Sequence, residues 1–380
     1  MEQDISSRQI AVYLHIPFCL THCGYCTFFS VPYSKSSLEL YLQYLHKEID
    51  LIFQYHPDLA YAKSIYFGGG TPSLLRAEDI AELCARFNFA EEAEITLEIN
   101  PLQITKNYLS ALKNTPVNRL SIGIQSMDNE ELNLLDRKHK AEQIKDKIEL
   151  CRQFGFNNIS LDLIYGLPCS SLNKLKDNII QFLHLKPEHI SCYLLTLDSD
   201  TPLAAKIKKG KVPPLPEDSL LAEEYELICS ELDRAGYEQY EISNFCLPGK
   251  QSKHNLCYWK SEPYLGLGAS AAGFLPPYRY TNPSNLYDYY DHLDKGLIMP
   301  EAESCSSKQM IADFIMMGLR LTEGIDLNEL KNHFNYDLEE DKGLQLEKLY
   351  SLGMIEKNGS YLFLSTKAFF VSNTIIGELI

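Results

Sequence analysis

Cys19, Cys23 and Cys26 stand at C-x3-C-x2-C spacing in the segment His15-Ile-Pro-Phe-Cys-Leu-Thr-His-Cys-Gly-Tyr-Cys-Thr-Phe28. Three thiols this close can converge within one loop. A [4Fe-4S] cluster normally takes four thiolates, so three from a single loop leave one iron open to a small ligand that can itself react. Other readings of the spacing fit less well. A structural zinc site usually draws on two separated ligand pairs, and no second C-x2-C pair occurs in the chain. A disulfide framework is not expected from eleven cysteines, an odd number, spread over 380 residues without an export signal. Cys84, Cys151, Cys192 and Cys229 read as plain core cysteines.

The elements that must position this loop show in the hydrophobic periodicity. Short apolar runs at Ile10–Ile16, Ser64–Phe67, Glu94–Glu98, Arg119–Ile124, Asn158–Leu163 and His189–Leu194 alternate with helical patterns such as Leu38–Phe53 and Ala141–Phe154. Such a βα repeat builds a parallel sheet, whose functional groups gather at the C-terminal strand ends. The cysteine loop follows the first strand. The second runs into Gly68-Gly-Gly-Thr-Pro72, where glycines let backbone N–H groups approach a ligand. The third ends at Glu98, the fourth at Gln125, and the fifth carries Asp162. A carboxylate at 98 can hold an ammonium or a ribose hydroxyl, Gln125 a sugar or carboxylate, and Asp162 a hydroxyl or cation.

Composition narrows the partners. A net charge of −16 disfavours nucleic acid, because phosphate binding needs clustered lysine and arginine. No apolar run reaches membrane-spanning length and the N-terminus lacks an export pattern, so a cytoplasmic protein is expected.

Together, the cysteine loop, the GGGTP run and the strand-end polar series resemble the radical S-adenosylmethionine superfamily, in particular its coproporphyrinogen dehydrogenase and HemW heme chaperone branch. The likeness extends over nearly the whole chain. It implies a partial (β/α)6 TIM-like barrel over residues 1–235, a segment completing the core over 236–300, and a small α+β, winged-helix-like domain over 301–380. It also implies cofactors: a [4Fe-4S] cluster on Cys19, Cys23 and Cys26, S-adenosylmethionine and heme. By the same resemblance Tyr13 lies near the methionine moiety and Tyr25 contacts the nucleoside. Gly69, Gly70 and Thr71 form a backbone cradle, and Glu98 contacts bound S-adenosylmethionine. Gln125, Asp162 and Arg137, twelve residues beyond Gln125, match positions that in the dehydrogenases contact a second S-adenosylmethionine. No catalytic residue is assigned.

The second half separates the two branches. Lys253-His-Asn-Leu-Cys-Tyr-Trp259, with the glycine-rich Tyr264–Ser270 and Arg279-Tyr-Thr-Asn282 after it, resembles the H-N-x-x-Y-W segment of HemW proteins. The resemblance makes His254 a candidate heme ligand, since neutral imidazole is a common axial donor. Phe28 stands where the dehydrogenases carry a fourth cysteine, and only about ten residues precede the first strand, too few for their N-terminal lid. A heme chaperone that passes heme to an acceptor protein is therefore expected first. An oxygen-independent coproporphyrinogen III oxidase is the alternative, and a radical enzyme with an unrelated substrate a third reading. An electron donor for the cluster and a homodimer are the further partners considered.

Beyond Ser199 the βα rhythm fades into a proline-rich linker, Lys211–Pro216, and a helix, Glu217–Ala235. The tail predicts helices at Lys308–Thr322, Leu327–Phe334 and Gly343–Leu352. Strands at Met354–Lys357 and Tyr361–Leu364 follow, turned by Asn358-Gly359.

Overall fold

The computed structural model describes residues 9–299 and 302–380. A twelve-stranded sheet organises the chain. Its centre is β1 (Ile10–Ile16), β2 (Tyr61–Gly69), β3 (Asn88–Ile99), β4 (Arg119–Gln125), β5 (Ile159–Tyr165) and β6 (His189–Leu194), parallel and side by side in chain order. Helices α1 (Lys35–Tyr55), α2 (Ala77–Cys84), α3 (Lys106–Leu112), α4 (Asn129–Leu134), α5 (Ile144–Gln153) and α6 (Leu172–His184) supply the crossovers. Helices on a parallel sheet bury both strand faces, which is why β1 and β5 are almost continuously apolar. In each, all residues but one are buried, and the exceptions are Tyr13 and Asp162.

Two wings extend this core. On the β6 side β7 (Glu238–Gln239) and β8 (Asn244–Cys246) add antiparallel strands after α7 (Pro202–Lys208) and α8 (Asp218–Arg234). On the β1 side β9 (Tyr264–Leu267) pairs parallel with β1, making a seventh parallel strand that the six-strand expectation did not contain. Four residues are too few to register as periodic, and Gly266 in its middle weakens the pattern further. β10 (Ala272–Leu275), β11 (Tyr278–Thr281) and β12 (Glu303–Ser304) continue outward antiparallel. The two edges, β12 and β7, are not paired with each other, so the sheet forms a partial barrel.

A buried carboxylate ties α1 to the β9 wing. Glu48 accepts hydrogen bonds from Gly268 N (2.8 Å), Asn282 Nδ2 (2.6 Å) and Tyr289 Oη (2.7 Å). Burial raises its pKa to about 7.

Helix α9 (Lys253–Trp259) packs on β2 and α10 (Leu286–Asp294) on α1; the tail then runs through α11 (Ser307–Gly318) and helices Leu327–Phe334, Leu338–Asp341 and Gly343–Ser351 around a small three-stranded sheet. The helix predicted to reach Thr322 stops at Gly318, where Ile325 lies too close to admit a side chain. The hairpin strand is Ile355–Asn358, one residue later than expected, and Asn358 pairs with Tyr361, so Gly359 (φ +61°) and Ser360 make the turn. Among the described residues no helix is long and apolar enough to cross a membrane.

Candidate cofactor site

The cysteine loop leaves β1 at Pro17 and returns to α1. Phe18–Cys19 pairs with Val31–Pro32, and Tyr33 N donates to Cys19 O (3.0 Å), closing the loop at its base. Its tip is held from the opposite wall. Leu203 N donates to Gly24 O (2.8 Å), and Asp136 packs so near Gly24 that an added Cβ would lie 2.4 Å from its carboxylate oxygen. Lys206 in turn pairs with Asp136 (2.9 Å).

The GGG run is shaped by this loop's neighbours. Gly69 has φ +110°, and a Cβ there would meet the His15 ring at 2.6 Å. A Cβ at Gly68 would strike Tyr13, and one at Gly70 the backbone of Pro17–Phe18. The glycines let β2 end directly against the start of the cysteine loop. His15, which the sequence reading did not single out, supports that junction. Its Nε2 donates to Phe29 O (3.2 Å) and its Nδ1 accepts from Tyr13 Oη (3.1 Å), the tautomer that a carbonyl partner requires. Burial lowers its pKa and keeps it neutral. The only outward hint is its polarity inside an apolar strand.

These elements enclose a cavity of about 430 Å³ at the C-terminal strand ends. Cys19, Cys23, Cys26, Tyr25, Gly69, Gly70, Thr71, Glu98, Gln125, Arg137 and Asp162 all line it. Thr71 Oγ1 lies 3.5 Å from Cys19 Sγ and Arg137 Nη1 3.5 Å from Cys23 Sγ. Among the described residues no three ligand side chains converge on a single-ion site.

The polar wall is built with some strain. Gln125 sits at φ +76° beyond a register shift between β4 and β5, which turns its amide back over Gly123. Arg137 Nη2 donates to Gly123 O at 2.5 Å. Glu98 accepts from Tyr66 Oη (2.9 Å), and burial, reinforced by the Asp162 charge, raises its pKa to about 7. Burial likewise raises Asp162 to about 6. Tyr66 and Tyr193 also line the cavity and were missed, because aromatic residues in strands read as core.

Two sequence-predicted residues lie elsewhere. Tyr13 faces a second cavity and touches the lining of the first through its ring contact with Tyr66 (6.1 Å between centroids), besides its hydrogen bond to His15. His254, the candidate heme ligand, is 1 % exposed. Its Nδ1 is 2.9 Å from Ser64 Oγ and its Nε2 2.7 Å from Tyr258 Oη. Both ring nitrogens are therefore occupied, and burial lowers its pKa to about 3. In this arrangement His254 is a neutral histidine that anchors α9 on β2. Of the cysteines read as core, Cys84, Cys151 and Cys192 are buried and Cys229 half-buried.

A partial βα barrel with three cysteines on the loop after its first strand defines a radical S-adenosylmethionine protein. The sequence model of the Radical SAM superfamily matches residues 13–179, and that of the HemN C-terminal domain residues 305–371. Heme chaperone HemW of Lactococcus lactis is 32% identical over 374 residues, covering 97% of each chain. Heme chaperone HemW of Bacillus subtilis is 33% identical over 378 residues, covering 97% of this chain and 99% of its own. The chain belongs to the HemW family. In solved structures the fold matches coproporphyrinogen III oxidase (HemN) from Escherichia coli with a TM-score of 0.84 at 22% identity, over 98% of this chain and 90% of that one.

Proposed function

We propose that this protein is a heme chaperone: it holds heme and transfers it to an acceptor protein, carries a [4Fe-4S] cluster on Cys19, Cys23 and Cys26, and binds S-adenosylmethionine in the same cavity. The observation that carries the reading is the match along 97% of the chain to proteins named heme chaperone HemW. In this reading the three thiols hold the cluster, whose open iron supplies S-adenosylmethionine binding and reductive chemistry when present. Glu98 receives an ammonium or ribose hydroxyl, the Gly69–Thr71 backbone approaches the ligand without side-chain obstruction, and Gln125, Arg137 and Asp162 hold its polar groups. Tyr25 offers the nucleoside a ring. The boundaries 1–235, 236–300 and 301–380 belong to the same proposal, supported by β9 completing the parallel core from the middle segment.

An anaerobic assay of reconstituted protein with S-adenosylmethionine, reductant and coproporphyrinogen III, run beside a hemin titration, tests it. One-to-one hemin binding without protoporphyrinogen is the expected result. Protoporphyrinogen formation would sink the chaperone reading and make the protein an oxidase.

A further inference from the structure

A second cavity, of about 610 Å³, lies between the two wings of the sheet, roofed by α9 and closed by α11. Its walls are Tyr258 and Trp259 from α9, Tyr264 from β9, Phe274 from β10, and the thioethers of Met316 and Met317. Four residues of this lining carry a buried polar atom with no hydrogen-bond partner among the described residues: Asn244 Oδ1, Trp259 Nε1, Ser261 Oγ and Arg320 Nε. Buried polar groups are normally satisfied, and those that are not call for a missing partner.

Two of the four are obligate donors, and one of these is cationic. Arg279, the other guanidinium on the lining, is paired with Asp313 (2.8 Å). Arg320 donates through Nη2 to the neutral Asn373 Oδ1 (2.9 Å) and sits 6.0 Å from the centre of the Trp259 ring; the buried Glu241 on the same lining feels its charge, but among the described residues no carboxylate forms an ion pair with it. Aromatic and thioether walls with an unpaired arginine and an indole N–H fit a flat conjugated ring bearing an ionised carboxylate.

We propose that this cavity is a porphyrin site: the macrocycle stacks among Tyr258, Tyr264, Phe274 and the two methionines, and one propionate is held by Arg320 and Trp259 Nε1. The assignment rests on the heme chaperone reading and locates its cargo away from the thiol cavity. His254 takes no part as a ligand; it fixes the Tyr258 hydroxyl that forms one wall.

Hemin titrations of the full-length protein, followed by Soret absorbance, test the site on four versions: wild type, Arg320→Leu, Ala272→Trp, which fills the lining with a ring, and Lys145→Ala, an exposed helix position on neither cavity. Circular-dichroism melts establish that each is folded. Arg320→Leu and Ala272→Trp should each weaken hemin binding about tenfold or more, with Lys145→Ala equal to wild type. If wild type binds hemin and both cavity variants match it, the site assignment is overturned while the chaperone reading stands. If wild type itself fails to bind, both fall.

Discussion

A methyl group at position 69 would have nowhere to go: the backbone is left-handed and the His15 ring lies 2.6 Å from the new carbon. Gly69→Ala is expected to cost about 1–3 kcal/mol from backbone strain alone, read as a lower urea midpoint. An unchanged midpoint would mean that His15 yields freely. Replacing Cys19, Cys23 and Cys26 together with Ala should abolish the brown absorbance of anaerobically reconstituted protein, and four irons retained by that variant would refute the ligand assignment. Glu98 gives a pH signature. With its pKa raised to about 7, it is mostly neutral at pH 6 and charged at pH 8. Affinity for S-adenosylmethionine should therefore rise across that interval by up to about tenfold, as the carboxylate becomes able to pair with an ammonium. Calorimetry on Glu98→Gln should give a flatter profile, and an equally steep one would assign the titration elsewhere.

Elements built from long periodic runs were legible in the sequence, and those built from contacts were not. β1 and β6 stand at their expected residues; in β1 two-sided burial writes a nearly continuous apolar run. β3 begins at Asn88 rather than Glu94, since its start pairs with Tyr61 and Ala62 before a register shift that no local pattern reveals. Polar residues at strand ends could be listed from the sequence, as could the cysteine triad, and eleven of the thirteen candidate residues share one cavity. Where Tyr13 and His254 come to lie was not legible, because a side chain's direction depends on neighbours far along the chain. Glu48 shows the same limit: its partners lie more than two hundred residues away. Its ordinary pKa of 4.5 is raised to about 7, so folding favours its neutral form. The native state therefore loses stability as pH rises from about 4.5 to 7, by on the order of 3 kcal/mol from this group. Urea unfolding across that range should show a shallower decline in Glu48→Gln than in wild type.

At the scale of the molecule, one contiguous apolar core runs from Ile10 to Leu379, joining the barrel to the tail. Thr322 N donates to Tyr240 O (3.0 Å) and Lys260 pairs with Glu323 (2.9 Å) across the same seam. Unfolding is expected to be a single transition. The chain's one tryptophan, Trp259, lies at this seam beside Arg320, so its emission should change together with the far-ultraviolet dichroism. Separate midpoints would mean that the tail opens on its own. Tyr193 belongs to the lining of both cavities. A side chain common to two compartments cannot answer to each independently: the rotamer selected by an occupant on one side is the wall met by an occupant on the other. Affinities coupled in this way change by the same factor in both directions, so whichever ligand arrives first sets the terms for the second.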